Sequence, residues 1–222
     1  MRIRWLWVAA VLLLLASVAL GATAAGDWWG RTREVRSAQH RLSQHLDEQW
    51  AAGRGGIPEV FDRGPARMPL GGDPVTGAFA GPVARLHLPT IEADLVVLGG
   101  VSAADLRLGP GYIPGTAPIG AAGNTGIAGE RLPGVFWDLD RLGIGDPVVL
   151  ETSDTWFVYR VMEARVVRPE ENAVLGPPPP GAGPLLTLVT CEPRLSTARR
   201  LIRQATLVRR DPRTGPRPVE LA

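Results

Sequence analysis

The chain has no lysine. All 24 of its basic residues are arginine, a usage that points to a GC-rich coding bias rather than to phosphate recognition. With 22 Asp and Glu residues the formal net charge is only +2. That is too small a positive field to support nucleic-acid binding. There is one cysteine, Cys191, so no internal disulfide forms and the redox compartment is left open. A lone cysteine is either an inert core thiol or a reactive one. Histidine is scarce too: His40, His45 and His87 are the three. His40 and His45 have no further ligands near them in sequence, which excludes a convincing zinc site, and no cofactor or metal is expected.

Only one hydrophobic run is long. Arg2 and Arg4 precede Trp5 to Ala25, interrupted only by Ser17, Gly21 and Thr23. Roughly 20 apolar residues cross a bilayer as a helix, and this run exceeds the usual secretory core of about 7–15 residues. It is expected to be an uncleaved anchor, although Ala22-Thr23-Ala24 offers a small-x-small cleavage pattern. Arg31, Arg33 and Arg36 on the far flank blur the charge asymmetry. A short cytoplasmic tip with an exported domain is the simpler orientation.

Long helical periodicity is also missing from the rest of the chain, whereas Gly 27 and Pro 21 are abundant. Residues 27–82 are expected to hold a polar, solvated juxtamembrane helix to about Ala52 and then a Gly/Pro-rich stalk. Short β-favouring runs follow: VARLHL, ADLVVLG, NTGIAG, PVVLET, TWFVYRVM, ARVVR, LLTLVTC and RLIRQATLV. Turn material such as GPGYIPGTAP, GIGDP and GPPPPGAGP separates them, and DLRLGPG suits one helical turn. About eight short strands with this punctuation predict an all-β barrel or sandwich over residues 83–210. The last segment, 211–222, has no packing pattern and is expected to be a loose tail.

Cys191 ends an apolar strand and is followed by Glu192-Pro193, where a central strand cannot continue. The next strand begins near Arg200. If the two form an antiparallel hairpin, Cys191 and Arg200 face each other across the sheet end. A guanidinium there lowers a thiol pKa and donates to a tetrahedral oxyanion. The alternative is that Arg199, Arg200 and Arg203 form a solvated basic face.

LLTLVTC followed by EPRLSTARRLI resembles the signature of sortases, the cysteine transpeptidases of bacterial surfaces. ARLHLPTI, LRLGPGYIPGTAPIGAAGN, IAGER and LDRLGIGDPVVLET agree with it in order and spacing, over roughly Val83 to Val208. The cysteine segment is most similar to class E sortases of high-GC actinobacteria. The resemblance implies an eight-stranded β-barrel and cleavage of an LPxTG-like C-terminal sorting signal through a thioacyl intermediate. The acyl group then passes to an amine of a peptidoglycan precursor. It implies Cys191 as nucleophile, Arg200 as the site arginine and Thr190 as a residue shaping the substrate site. The domain would stand outside a cell membrane that its helix crosses once.

One residue departs from the pattern. Where the family has IAGH followed by arginine, this chain has Glu130 followed by Arg131. Glu192 likewise stands where class E has a histidine after the cysteine, and His87, His40 and His45 are poorly placed to substitute. An ionised Glu130 beside Cys191 raises the thiol pKa. A protonated one could act as general acid. Three readings stay open: a sortase with a glutamate acid, a weakened relative that serves as a surface peptide-binding module, or a misaligned loop with the acid elsewhere.

Overall fold

The structure, a computed structural model, describes residues 30–55 and 81–222. The run Trp5–Ala25 expected to form the anchor, and most of the Gly/Pro-rich stalk, lie outside them. Among the described residues no helix is long and apolar enough to cross a membrane.

Eight strands close into a barrel in the order β1-β2-β3-β4-β7-β8-β6-β5. They are β1 Pro82–Leu88, β2 Ala93–Leu98, β3 Gly111–Tyr112, β4 Asn124–Ala128, β5 Pro147–Glu151, β6 Thr155–Val167, β7 Leu185–Glu192 and β8 Arg199–Pro212. Alternate side chains fill the interior, as period two requires: Leu86 and Leu88, Leu95 and Val97, Leu186 and Leu188, Leu201 and Ala205. The expected count of eight holds, but two runs are distributed differently. TWFVYRVM and ARVVR form the single strand β6, because the register shift between Val161 and Glu163 absorbs Met162 as a bulge. The remaining strand, β3, is a two-residue bridge inside what the sequence presents as turn material. It joins β2 through Leu98↔Gly111 and β4 through Tyr112↔Ile127. A Cβ at Gly111 would stand 1.8 Å from the Gly100 carbonyl oxygen, so only glycine permits that approach. The helical turn expected near DLRLGPG is α2, Ala103–Leu106, closed by a capping box between Ser102 and Asp105.

The helix expected to be solvated is docked on the barrel. This helix, α1, occupies the described residues 30–51. Val35, Ala38, Leu42, Leu46 and Trp50 are buried at helical spacing, and Leu42, Leu46 and Trp50 cluster with Val96 and Leu98 of β2. Gln39 fastens the contact: its Oε1 accepts from the Val96 N–H at 2.7 Å, and its Nε2 donates to the Leu108 carbonyl at 2.8 Å. His40 and His45 bond to Gln44 and Gln49 along the exposed side of the helix itself.

The C-terminal segment also differs from the loose tail expected. Asp211 and Pro212 belong to β8, and the last residues fold back on the barrel. Glu220 pairs with Arg160 at 3.2 Å and Arg209 at 2.8 Å, while Leu221 packs against Val149, Trp156 and Val158. Arg213 pairs with Glu151 at 2.7 Å and lies over the Trp50 ring, which Arg85 approaches as well. Under this lid His87 bridges Asp94 at 2.6 Å and Glu151 at 3.1 Å. Burial acts to lower the His87 pKa, but these two carboxylates outweigh it and hold the imidazole above its usual value. The hydrogen bond from His87 holds Asp94 below the usual carboxylate value. Glu151 is also low, because His87, Arg213 and Arg85 outweigh the opposing effect of burial.

Leu46→Ala is expected to cost about 2–5 kcal/mol in urea denaturation of the full chain, against less than about 0.5 for a solvated helix position. The His87 contribution is full below the unfolded histidine pKa and is lost as pH rises through the raised folded value. The carboxylate contributions are present above the unfolded carboxylate pKa and are lost as pH falls through the depressed folded values. Melting temperature should therefore peak at mildly acidic pH, and His87→Gln should flatten the alkaline decline from neutrality.

Candidate active site

Three strands meet at the rim where β7 ends. β7 pairs antiparallel with β8 in a register that sets Cys191 directly opposite Arg200 and Glu192 opposite Arg199. β7 also pairs with β4, in parallel, with Ala128 opposite Val189. The Gly129 N–H extends that pairing to the Val189 carbonyl at 3.0 Å. Two residues past Ala128 lies Glu130, two past Val189 lies Cys191, so the carboxylate comes level with the thiol. Gly129 lets the Phe136 ring pack against the end of β4, because a Cβ there would stand 2.6 Å from that ring.

Side-chain parity sorts the rim into two layers. Asn124, Gly126 and Ala128 of β4 alternate with the interior Ile127, so Glu130 follows the outer row. On β7 and β8, Thr187, Val189 and Cys191 pair with Gln204, Ile202 and Arg200 on that same outer face. The outer face therefore carries Glu130, Cys191 and Arg200 together. The loop-misalignment reading does not match this geometry. Thr190 belongs to the other face: it pairs with the core residue Leu201, is buried, and its Oγ1 has no hydrogen-bond partner among the described residues. It lies behind the thiol rather than beside it. His87 is on β1, a strand not paired with β4, β7 or β8, and takes no part in this rim.

The inner layer is charged. Arg131 is only 3% exposed and pairs with Asp140 and Glu192, each at 3.1 Å. Arg203 donates to the Leu142 carbonyl at 2.6 Å and the Asp140 carbonyl at 2.7 Å. In the loop after Cys191, Arg194 stacks on Trp137 and bonds Asp138 and Asp140. The β7–β8 and β4–β5 connections are thus tied to one another. Arg200 is buried and donates to the carbonyls of Thr197 and Arg199 at 2.9 and 3.1 Å. Those two bonds fix where its guanidinium lies. On the outer face, Asn124, Thr187 and Gln204 form a buried network that holds the Val174 carbonyl. This pins the 3₁₀ turn Asn172–Leu175 of the β6–β7 connection over β4 and β7.

Burial pushes the Cys191 thiol above its ordinary pKa. Arg200 pulls it down, Glu130 pushes it up again and Arg131 pulls it down, with the net shift upward. The arrangement offers a nucleophile with a facing cation, but with a carboxylate in place of a second cationic partner.

The sequence profile of the Sortase domain matches residues 86–208. The chain belongs to the sortase family. Sortase SrtE1 of Streptomyces coelicolor is 30% identical over 207 residues, covering 86% of this chain and 53% of that protein. SrtE2 of the same organism is 30% identical over 223 residues, covering 93% and 83%. The crystal structure of sortase E1 from Streptomyces coelicolor with a tripeptide in the active site has 31% identity and a TM-score of 0.59. That comparison covers 64% of this chain and 96% of that one. The chain thus spans about half the length of SrtE1, and the similarity runs to class E sortases.

Within the sortase rim, the sequence points to Cys191, Arg200 and Glu130 and sets Arg131 only as a charge beside Glu130, while Arg194 and Asp140 carry no signal. The spacing IAGER…LDR contains Arg131 and Asp140, without a signal that Arg131 turns inward. Replacing Glu130 with Gln removes a negative charge beside the thiol. The midpoint of Cys191 alkylation against pH is expected to fall by about 0.5–1 pH unit, measured with a neutral haloacetamide on the only cysteine.

Proposed function

We propose that the chain is a membrane-anchored, sortase-type cysteine transpeptidase of low activity, acting on an LPxTG-like sorting signal of exported surface proteins. The facing pair Cys191 and Arg200, with Glu130 alongside, carries this reading. The Cys191 sulfur attacks the carbonyl carbon of the scissile peptide bond, and Arg200 donates to the oxyanion that forms. The thiol proton passes to Glu130 as the S–C bond forms. Glu130 returns it to the departing amine as the C–N bond breaks, leaving a thioacyl enzyme. An amine of a peptidoglycan precursor then attacks the thioester and restores the thiol. A carboxylate is a poor base for a thiol whose pKa has been raised, so both proton transfers are slow beside those of an imidazole. The segment 5–25 anchors the chain, with 83–210 outside the membrane as the catalytic unit.

A second reading follows from the raised Cys191 pKa. A thiol held protonated lets the rim bind a sorting peptide without cleaving it, which makes the protein a surface peptide-binding module. The two readings separate when the full chain is incubated with LPxTG-like and LAxTG-like peptides. A slow acyl adduct is expected on Cys191 by mass spectrometry, absent in Cys191→Ala and faster by about 10- to 100-fold in Glu130→His. An adduct in Glu130→His alone marks a weakened relative. None in either removes sortase chemistry from this chain.

A further inference from the structure

Arg131 has no part in the catalytic scheme above, yet it is among the most deeply buried charges near the thiol. It follows Glu130 directly and turns to the inner layer of the rim, where its Nη1 reaches Glu192, the residue after Cys191, at 3.1 Å. Its Nη2 reaches Asp140 at 3.1 Å; its Nε, its Nη1 and the Glu192 Oε2 facing it make no hydrogen bond among the described residues, so the Glu192 contact is an ion pair alone. A buried guanidinium with an unpaired N–H is costly. A tie between two loops could be made at the surface without that cost.

Exposure decides how its charge is felt. Arg131 is 3% exposed, while the side chains of Glu192 and Asp140 are 29% and 43% exposed. Water screens Asp140, whereas the Glu192 Oε2 that faces Arg131 is itself buried, and the arginine acts through packed protein of lower dielectric. Arg203, also buried in this layer, adds a like charge that its backbone carbonyl partners do not cancel. The groups around the thiol are therefore Arg200 and Glu130 on the outer face and Arg131, Glu192, Asp140 and Arg203 behind it.

We propose that Arg131 is a positioning residue for the nucleophile, the second cation of the thiol site. Held behind the end of β7 by Glu192 and Asp140, it restores part of the positive field that Glu130 removes and so keeps Cys191 reactive. The inference rests on the reading of Cys191 as the nucleophile. The contribution of Arg131 to the Cys191 pKa has the required sign.

Alkylation of Cys191 with iodoacetamide, followed against pH in the full chain, tests it, since Cys191 is the only cysteine. In Arg131→Gln the midpoint should move up, slowing labelling near neutrality about threefold or more. Arg131→Lys should keep a midpoint near that of the natural chain even if both variants melt earlier. A folded Arg131→Gln with an unchanged midpoint overturns the proposal. Should that variant not fold, a folded Arg131→Lys whose midpoint rises well above that of the natural chain overturns it instead, because the charge is kept there. Midpoints that shift as stated, in a protein that forms no peptide adduct, uphold the role of Arg131 and remove the transpeptidase reading alone.

Discussion

The parallel register between β4 and β7, joined to the antiparallel register between β7 and β8, is the constraint on which the rim depends. Period two leaves no latitude in such a pairing. A slip of one residue would turn Cys191 into the core and bring Thr190 out. The register is held from several sides. Ile127, Leu188 and Leu201 fill the interior beneath it, and Asn124, Thr187 and Gln204 lock the outer face to the β6–β7 connection. Because the backbone is so constrained, the thiol cannot move away from the groups beside it. Its chemistry is set by the charges on either side.

Those charges are distributed unusually for a member of this family. The two positions where the family pattern places imidazole carry Glu130 and Glu192, one beside the thiol and one directly after it. Each carboxylate has a different consequence. Glu130 shares the outer face with Cys191 and opposes ionisation of the thiol. Glu192 is engaged by the buried Arg131. The rim keeps its fold, its thiol and its facing arginine, while the position where the family pattern has imidazole holds a carboxylate. Under the proposed function, slow chemistry or peptide capture follows from that single change.

Much of this could be read from the residues. A strand ending at Cys191, and a second beginning about nine residues later, suffice to place Arg200 opposite the thiol. Other features left no local trace. β3 consists of two residues whose pairing is visible only once β2 and β4 are in place. The docking of α1 depends on Gln39 meeting Val96, 57 residues away, on a helix whose apolar stripe from Val35 to Trp50 keeps helical spacing without naming its partner. The tail is fixed by Arg213 and Glu220, charged residues that look solvated in sequence because their partners Glu151 and Arg160 lie on distant strands. Arg131 was hidden for the same reason: only the fold shows which way it turns.

The central claim is that Glu130 stands beside Cys191 on one face of the sheet. Glu130→Cys tests it most directly, because the variant then holds just two thiols. Neighbouring strands lie about 4.8 Å apart, within the Cα separation of about 4.4–6.8 Å that a disulfide spans. Mild oxidation of the folded variant should close an intramolecular disulfide and remove both free thiols. If both thiols stay free and titratable in the oxidised, folded protein, the carboxylate is not beside the nucleophile and the account fails.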